Sequence, residues 1–467
     1  MIFRTGIQWA IVAGLFIVLA GASVEYKRRG GLYWYDVQKD YRYAFDPEFA
    51  RKIQVQITPQ GFTVPSIDEA WDTAVLPIHV KTSVAGHWFE PSIELKSGEA
   101  RSLQYFERGT EGQRFILLRP DIVKPGRPVS MSGRHITWTE QGRELVLFSN
   151  PEATRGRTLV IAPHPDDAEI AAFGFYSRHD SFVATITAGD SVDDFYQHLE
   201  PEASSRRLLR GNARVWDSLV VPTWGGVQPE RIVNLGYWNE SLPQLFARRE
   251  SAPEADHLLE QDPNVYRGGA VKDLLDGRSA EATWDSLVDD LRVLLENVRP
   301  AVIIAPHPLL DAAPDHQFTT IALLEALEEG VADNALLLLY TNHHVLSEYY
   351  PFGPASTEMT LPPWFDNDAL FGGVFSYVLD PIDRQRKLFA LEAMHDLRAA
   401  PRSVTAEDPV ARFSHLAANA LRELKRNPLG TYSYFRRAVR TNELFFIYRF
   451  SDRSRIGVAE REGFSYQ

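Results

Sequence analysis

Residues 162–169 read APHPDDAE, and this stretch decides the fold of the larger part of the chain. It directly follows TLVI at 158–161, an apolar run with the length and composition of a buried strand. Residues 168–176 are predicted to form a helix. Open α/β sheets place their sites where the carboxyl end of a strand leads into a helix. The stretch therefore predicts a site that offers one histidine and two adjacent carboxylates.

A second strand and loop supply a further histidine. AVII at 301–304 is another buried-strand pattern, and it leads into APHPLLDAAPDH at 305–316. Because parallel strands end at the same edge of a sheet, the two loops are expected to face one crevice. His164, Asp167 and His316 would then form a site of two histidines and one carboxylate, with Asp166 free as a base. Zinc hydrolases use three such ligands and leave the fourth position to water.

Each loop also has a simpler interpretation. Asp166 or Asp167 could cap the following helix, and Asp315 could cap a helix over residues 317–328. A harder metal with phosphate chemistry is another alternative, although two imidazole donors favour zinc. Because both clusters follow an apolar strand, we favour one paired site over two unrelated turns.

The paired motifs resemble those of the PIG-L/LmbE-type zinc-dependent N-deacetylase family. HPDD at 164–167 matches the family's first motif, and APDH at 313–316 resembles its second, His-Pro-Asp-His. TAGD at 187–190 and LGYWN at 235–239 are weaker similarities, as is the segment 387–395, which begins with lysine and ends with histidine. The resemblance spans roughly residues 158–450.

The resemblance implies specific roles and a specific activity. It implies Zn²⁺ as the cofactor, held by His164, Asp167 and His316, with Asp166 as the general base. The activity implied is removal of an N-acetyl group from a glucosamine-containing glycan or glycolipid. The substrate-binding residues that it implies are Asn239 and His395.

Ala313 departs from the family pattern. The family has a histidine there, which polarises the substrate carbonyl or protonates the leaving amine. His307, in the same loop, is the first candidate to replace it, with Asp311 available to orient its ring, and His343 and His344 are further candidates. The alternatives are cleavage of a different amide, as some members do on thiol conjugates, or a catalytically degenerate carbohydrate-binding or polysaccharide-assembly protein.

The composition limits the number of domains, the kind of partner and the kind of metal ligand that the chain can have. A chain of 467 residues is too long for one ordinary domain, and 44% hydrophobic residues provide for large cores. The net charge of −13 argues against a nucleic-acid partner, which requires a basic face. The absence of cysteine rules out disulfides and thiolate zinc ligands.

Residues 5–24 carry no charge and are followed by Lys27, Arg28 and Arg29. This length lies between that of a transmembrane anchor and that of the apolar part of a signal peptide. We favour an anchor over a cleaved signal, and either over a soluble element. The prediction is a membrane-anchored or exported protein whose catalytic body lies outside the cytoplasm and which contacts the membrane through this segment.

Residues 33–151 show short runs that alternate with period two, such as IQVQI at 53–57. Glycine and proline punctuate these runs, which predicts a β-sandwich-like accessory domain. Its aromatic residues could line a carbohydrate surface, although packing in a core is the more common role.

Residues 158–450 alternate strand and helix, which predicts an α/β doubly wound parallel sheet, a Rossmann-like deacetylase domain. Residues 239–278 lack clear periodicity and are interpreted as an insertion or lid over the site. Further helices are predicted at 383–398 and 409–425. The predicted strands are centred near Val160, Val183, Val233, Ile303 and Leu338.

Overall fold

The computed structural model describes residues 32–67, 70–124, 126–140, 142–191, 196–197, 199–249, 262–328, 330–332, 334–366, 370–394 and 437–450. The predicted apolar segment 5–24, the predicted helix 409–425 and His395 lie outside these residues. Among the described residues, no helix combines the length and the apolar character needed to cross a bilayer.

The amino-terminal strands form an antiparallel sheet of nine strands in the described part of the chain. Buried and exposed side chains alternate along these strands, as in the second strand, where Val55 and Ile57 are buried and their neighbours are exposed, so one face of the strand meets the core. The strands are β2 (Ala50–Thr58), β3 (Gly61–Thr63), β4 (Thr73–Thr82), β5 (Ser92–Ser97), β6 (Ala100–Tyr105), β7 (Glu111–Leu118), β8 (Pro128–Arg134), β9 (Ile136–Trp138) and β10 (Gly142–Phe148). The order is β6-β5-β8-β3-β2-β10-β4-β7, and β9 pairs with β4.

This sheet encloses a core of its own. Ile78 and Ile116 from β4 and β7 belong to the same buried cluster as Leu95 and Met131 from β5 and β8. Strands from the two ends of the sheet therefore contribute to one interior, which is what a sandwich-like arrangement of short alternating strands requires.

The carboxyl-terminal part is built on a second sheet, mixed and eight-stranded within the described residues, in the order β14-β13-β12-β11-β15-β16-β19-β18. The five strands from β13 to β16 in that order are parallel, and they are the five expected from the sequence. The strands are β11 (Thr158–Ala162), β12 (Ser181–Thr187), β13 (Ile232–Tyr237), β14 (Gly268–Gly269), β15 (Val302–Pro306), β16 (Leu336–Tyr340), β18 (Gly373–Val378) and β19 (Asn442–Arg449).

Helices cover both faces of this sheet, which confirms the α/β class. Leu159 and Ile161 point into one cluster and Val160 and Ala162 into another, because successive side chains of a strand alternate. The helices are α1 (Asp167–Tyr176), α2 (Ala203–Trp224), α3 (Leu242–Arg248), α4 (Val271–Leu274), α5 (Trp284–Val298), α6 (Pro314–Leu327) and α7 (Pro381–Ala393). Helices α5 and α6 pack in the first cluster, and α1, α2 and α7 pack in the second.

The two sheets remain separate but share a hydrophobic cluster. Phe115 and Phe148 of the first sheet lie in the same cluster as Leu159 and Ile303 of the second. A two-stranded sheet adds a parallel connection between β1 (Ala44–Phe45) and β17 (Leu370–Phe371). The amino-terminal sheet therefore packs against the part of the chain that carries the predicted site.

The loops with the predicted ligands leave one edge of the second sheet. β11 pairs in parallel with both β12 and β15, so the strand order reverses beside it. The predicted insertion contributes α3 at this edge, and β14 pairs antiparallel with β13. A reversal of this kind opens a crevice at the carboxyl ends of the strands.

Candidate metal centre and active site

Three predicted ligands converge at the carboxyl ends of β11 and β15. His164 follows β11, Asp167 is the first residue of α1, and His316 lies in the first turn of α6. His164 Nδ1 is 3.2 Å from His316 Nε2. Asp167 Oδ2 is 3.3 Å from the first nitrogen and 3.0 Å from the second. In the described residues, this is the group whose donor atoms are close enough together to share a metal ion.

These separations fit a tetrahedral ion. Zinc lies about 2.1 Å from nitrogen and oxygen ligands, which places tetrahedral donors about 3.4 Å apart. Asp167 and His316 are buried, whereas the His164 side chain keeps 18% of its exposure. The group therefore has an open side, which a site that binds a water or a substrate requires.

Each histidine has a carboxylate next to the ring nitrogen that does not face the other ligands. Asp315 Oδ2 lies 3.1 Å from His164 Nε2, and Asp311 Oδ2 lies 3.2 Å from His316 Nδ1. Histidines that bind metals commonly have such partners, which fix the orientation of the ring. The expectation that Asp311 orients His307 is therefore wrong, because Asp311 lies beside His316 instead.

The alternative capping roles are not observed. Asp166 stands at the amino-terminal cap of α1, but its side chain makes no capping hydrogen bond. Helix α6 begins at Pro314, so Asp315 lies within its first turn. The Asp315 carboxylate instead accepts hydrogen bonds from the backbone N–H groups of Glu240 and Leu242 at 2.6 and 3.2 Å. Asp315 thereby joins the start of α3 to the metal centre.

Charge interactions shift the pKa values of the three ligands strongly. Burial alone would lower the histidine pKa values, but Asp167 and Asp315 raise the pKa of His164 to about 9. Asp167 and Asp311 likewise outweigh burial and raise the pKa of His316. Burial would raise the pKa of Asp167, but the two histidines hold it well below its usual range. A metal must therefore displace protons from this group when it binds.

Asp166 is held in an unusual backbone conformation beside the ligands. Its φ of 119° and ψ of −27° are rare for any residue other than glycine. Arg214 Nη2, from α2, lies 3.4 Å from Asp166 Oδ2 and donates to the Pro165 carbonyl at 2.6 Å. Gly189 makes room for this arginine, since a Cβ there would lie 2.3 Å from Arg214 Nε. Such a conformation persists only where the surrounding structure holds it in place.

Asn342, just after β16, completes the support of the ligands. Its Nδ2 donates to Asp167 Oδ1 at 2.7 Å, and its backbone N–H donates to Asp311 Oδ2 at 2.8 Å. Neither Asn342 nor Arg214 could be predicted from the sequence, since no local motif distinguishes them. The sequence pattern could indicate Asp311 and Asp315 as site residues, because both lie within the segment of the second motif.

His307 does not face the site. Its ring is fully buried among Phe371, Phe446 and Tyr448, with centroid distances of 5.6 to 5.8 Å. Its Nδ1 accepts a hydrogen bond from the Leu309 backbone N–H at 3.2 Å. Burial lowers its pKa to about 3, so the ring is neutral. We therefore correct the prediction that His307 is catalytic, because its side chain is directed into the aromatic core.

The two other candidate histidines differ from each other. His344 is fully buried and packs against Tyr350, with ring centroids 5.4 Å apart. The His343 ring lies 5.3 Å from the His316 ring, keeps 34% side-chain exposure and has Glu348 Oε2 3.7 Å from its Nδ1. Of the candidates to replace the histidine missing at Ala313, His343 is the one that the structure places beside a predicted ligand.

A cavity of about 670 Å³ opens at His164. Asn239 lines it, so this predicted substrate-binding residue and His164 border the same space. Ala313 also lines it, directly before α6. The remaining lining residues come from the loop before α3, from α3 itself and from the start of α6: Glu240, Pro243, Gln244, Ala247, Arg248, Pro314 and Asp315.

Taken together, these residues define a hydrolase-type site on an α/β sheet. Residues 159–327 match the family model described as PIG-L: GlcNAc-PI de-N-acetylase. This matched segment covers the two loops that carry the predicted ligands His164, Asp167 and His316.

Similar solved structures include two described as deacetylases and one described as a hydratase. The zinc-inhibited form of teicoplanin deacetylase Orf2 is 16% identical, covers 63% of this chain and 98% of its own, and has a TM-score of 0.32. A deacetylase–teicoplanin complex is 15% identical, covers 63% and 99%, and has a TM-score of 0.29. The 4-carboxy-2-hydroxymuconate hydratase GalB from Pseudomonas putida is 11% identical, covers 67% and 100%, and has a TM-score of 0.29. A comparison with curated proteins found no match.

Proposed function

We propose that this protein is a zinc-dependent amidohydrolase that removes an N-acetyl group from a glucosamine-containing glycan or glycolipid. One observation carries the proposal: three donor atoms of His164, Asp167 and His316 lie 3.0 to 3.3 Å apart beside Asp166. The family match over residues 159–327 supports the choice of an N-acetylated sugar as the substrate.

Zinc suits this donor set better than a harder metal, because two of the three donors are imidazole nitrogens. When bound, zinc supplies Lewis acidity that lowers the pKa of a water molecule to about 7 and stabilises the negative charge that develops on the amide oxygen. The protein's part is to keep the ligands oriented. Asp315 and Asp311 do this from behind the two rings.

Asp166 acts as the general base. It takes the proton from the attacking water and returns it to the amide nitrogen as the C–N bond breaks, so that the nitrogen leaves as a neutral amine. Arg214 positions the carboxylate, since the guanidinium contacts both Asp166 and the preceding carbonyl. A positioned general base typically contributes about 10² to 10⁴ in rate.

His343 is the second group available for proton transfer to the amine. It is partly exposed, lies against His316 and has Glu348 close to its Nδ1. In this proposal His343 protonates the leaving amine, a role that the family's histidine would have at the position of Ala313.

The cavity has the groups that a sugar substrate requires. Asn239, Glu240 and Arg248 provide hydrogen-bonding and charged side chains, and Pro243 and Ala247 provide apolar contacts. Polar side chains among apolar ones can fix the orientation of a bound sugar. His395 remains a predicted substrate-binding residue outside the described part of the chain.

The body is proposed to lie outside the cytoplasm, attached to a membrane or released from one through residues 5–24. The supporting observation is the uncharged apolar composition of that segment. A reporter enzyme fused after Gln467 tests this: activity outside the cytoplasm is expected, and activity only inside it would reverse the proposal.

A catalytically degenerate carbohydrate-binding protein is the second candidate. The observation that favours it is Ala313, which borders the cavity where the family's second motif has a histidine. Such a protein would bind zinc and the sugar without releasing acetate.

Metal analysis of the full-length protein in detergent, combined with a free-amine assay on N-acetylated oligosaccharides, separates the candidates. We expect about one zinc per chain and release of free amine. His164→Ala should lose the metal, and His179→Ala, three residues beyond the carboxyl-terminal end of α1, should keep it. Full metal occupancy in His164→Ala would refute the ligand set, and zinc without any amine release would favour the binding protein.

A further inference from the structure

Large apolar side chains are exposed together at one edge of the amino-terminal sheet. Val84 is 83% exposed, Trp88 46% and Phe89 59%, and they lie in and just after a short 3-10 turn between β4 and β5. We call these three residues the apolar tip. Scattered single apolar residues are normal on a surface, but contiguous ones indicate an interaction.

The apolar tip is held by the surrounding backbone rather than by a core of its own. Ser83 N–H donates to the His135 carbonyl at 3.0 Å, and Gly109 N–H donates to the Gly86 carbonyl at 3.0 Å. Gly86 is also needed for close packing, since a Cβ there would lie 2.6 Å from the His135 oxygen. The turn is therefore fixed with these side chains exposed, and the Phe89 ring also stacks on the His135 ring, with centroids 5.8 Å apart.

The apolar tip lies near the point where the described chain begins. Tyr33 Oη accepts a hydrogen bond from the Arg108 backbone N–H at 3.3 Å, and the next residue, Gly109, is bonded to Gly86 within the turn. Residue 32 is the first that the structure describes, and the uncharged run 5–24 precedes it with only a short basic stretch between them. Seven residues, 25–31, separate the run 5–24 from residue 32, so a bilayer that holds the run would lie at most about 28 Å from residue 32.

We propose that the apolar tip inserts into the interfacial region of the lipid bilayer to which residues 5–24 attach the protein. Tryptophan and other amphipathic or aromatic side chains favour that region. Exposed Arg134 and His87 flank the tip and suit anionic headgroups, although Glu90 also borders it. Val84 and Phe89 have no hydrogen-bonding side-chain atoms, so a bilayer fits this surface better than a sugar does.

The inference depends on the predicted membrane attachment and not on the hydrolase activity. The inference about the apolar tip and the proposed hydrolase activity can fail independently. The amine-release assay is run in detergent on soluble oligosaccharides, where insertion of the tip plays no part.

Site-specific fluorescence tests the inference on the full-length chain. The chain has no cysteine, so Phe89→Cys and Val84→Cys each give one position for an environment-sensitive dye such as NBD. Ile382→Cys on α7, where the native side chain is 61% exposed, is the matched control. Each labelled protein is reconstituted into vesicles of phosphatidylcholine and phosphatidylglycerol, with and without lipids brominated in the acyl chains.

We expect a several-fold rise in emission at positions 84 and 89 on reconstitution, and quenching by the brominated lipids, with little change at position 382. Labels at 84 and 89 that behave like the label at 382 would overturn the proposal, as would failure of the chain to associate with the vesicles. A rise at 84 and 89 in detergent on addition of an N-acetylated oligosaccharide, without quenching in vesicles, would overturn it in favour of a glycan-binding surface.

Discussion

At the scale of single residues, His343 and His307 have opposite surroundings. His343 is partly exposed beside His316, whereas His307 is enclosed by three aromatic rings. His343→Ala should therefore lower turnover while zinc is retained, by up to about 10²-fold if it transfers a proton. His307→Phe is the control and should keep turnover near that of the wild type, because a phenyl ring suits the same aromatic cluster. Amine release at matched zinc content measures both, and a large loss in His307→Phe alone would reverse the assignment.

The metal-free protein should show a characteristic dependence of stability on pH. The pKa of His164 is about 9 in the fold, compared with 6.5 for an unperturbed histidine. A raised histidine pKa stabilises the fold fully below about pH 6.5, and this stabilisation is lost as the pH rises toward about 9. We therefore expect the melting temperature of chelator-treated protein to fall across this range.

His164→Phe is the control for this measurement, because it removes the titrating ring and keeps a planar side chain. The melting temperature of the metal-free variant should fall less between pH 6.5 and 9 than that of the metal-free wild type. Equal falls in the two proteins would show that other groups cause the dependence.

At this scale the sequence could predict that the three proposed ligands lie together, but it could not predict the residues that support them. His164, Asp167 and His316 are marked by two motifs that each follow an apolar strand. Arg214 and Asn342 come from α2 and from the end of β16, with no motif around either. Only the assembled sheet brings these side chains to Asp166 and Asp167. His307 shares a loop with His316, which predicts that it lies at the site, but distance along a loop does not determine which way a ring points.

At the scale of elements, the turn between β11 and α1 holds several of the residues that the proposed reaction uses. The chain must change from a strand to a helix within four residues, and Asp166 absorbs the bend with a positive φ. A conformation of this kind costs about 1–3 kcal/mol, so the surrounding contacts must hold it. Arg214 and the hydrogen bond from His164 N–H to Asp167 Oδ2 at 3.0 Å supply part of that support.

Helices α1 and α7 are tied to β19 by a buried ion pair. Glu443 Oε1 accepts from Lys387 Nζ at 2.7 Å, and the two carboxylate oxygens also accept from the backbone N–H groups of Gly174 and Phe175. Lys387→Met should lower the free energy of unfolding by about 3–5 kcal/mol, because it leaves a buried carboxylate without its cation. Urea unfolding measures the change.

The matched control is Lys52→Met, which removes a lysine from a pair with Glu144 whose side chains are more than half exposed. An exposed pair contributes at most about 1 kcal/mol. Similar losses in the two variants would contradict the role given to the buried pair.

Strand positions were predictable, whereas helix starts were less so. Buried parallel strands have continuous apolar runs, and all five of the predicted ones are present. Helix α6 begins at Pro314 rather than at residue 317, because proline is well suited to the first turn of a helix. The interpretation of Asp315 as a cap was wrong for this reason.

At the scale of the whole molecule, the two sheets form one body. Arg119 Nη1 of the amino-terminal part lies 3.0 Å from Glu358 Oε2 of the carboxyl-terminal part, and both side chains are buried. Thr73 Oγ1 accepts a hydrogen bond from the Ser376 backbone N–H at 2.9 Å. The sequence separated the two sheets by their different periodicities, but it could not predict this contact, because apolar residues look the same whether they face their own sheet or a neighbouring one.

The most direct test of the account is Asp166→Asn, with zinc content and amine release measured on the same full-length preparation. The proposed mechanism predicts wild-type zinc content and a loss of about 10² to 10⁴ in turnover, because the amide of asparagine does not accept the proton of the attacking water. Asp180→Asn, an exposed position before β12, should leave both quantities unchanged. Zinc retained together with turnover near that of the wild type in Asp166→Asn would contradict the account.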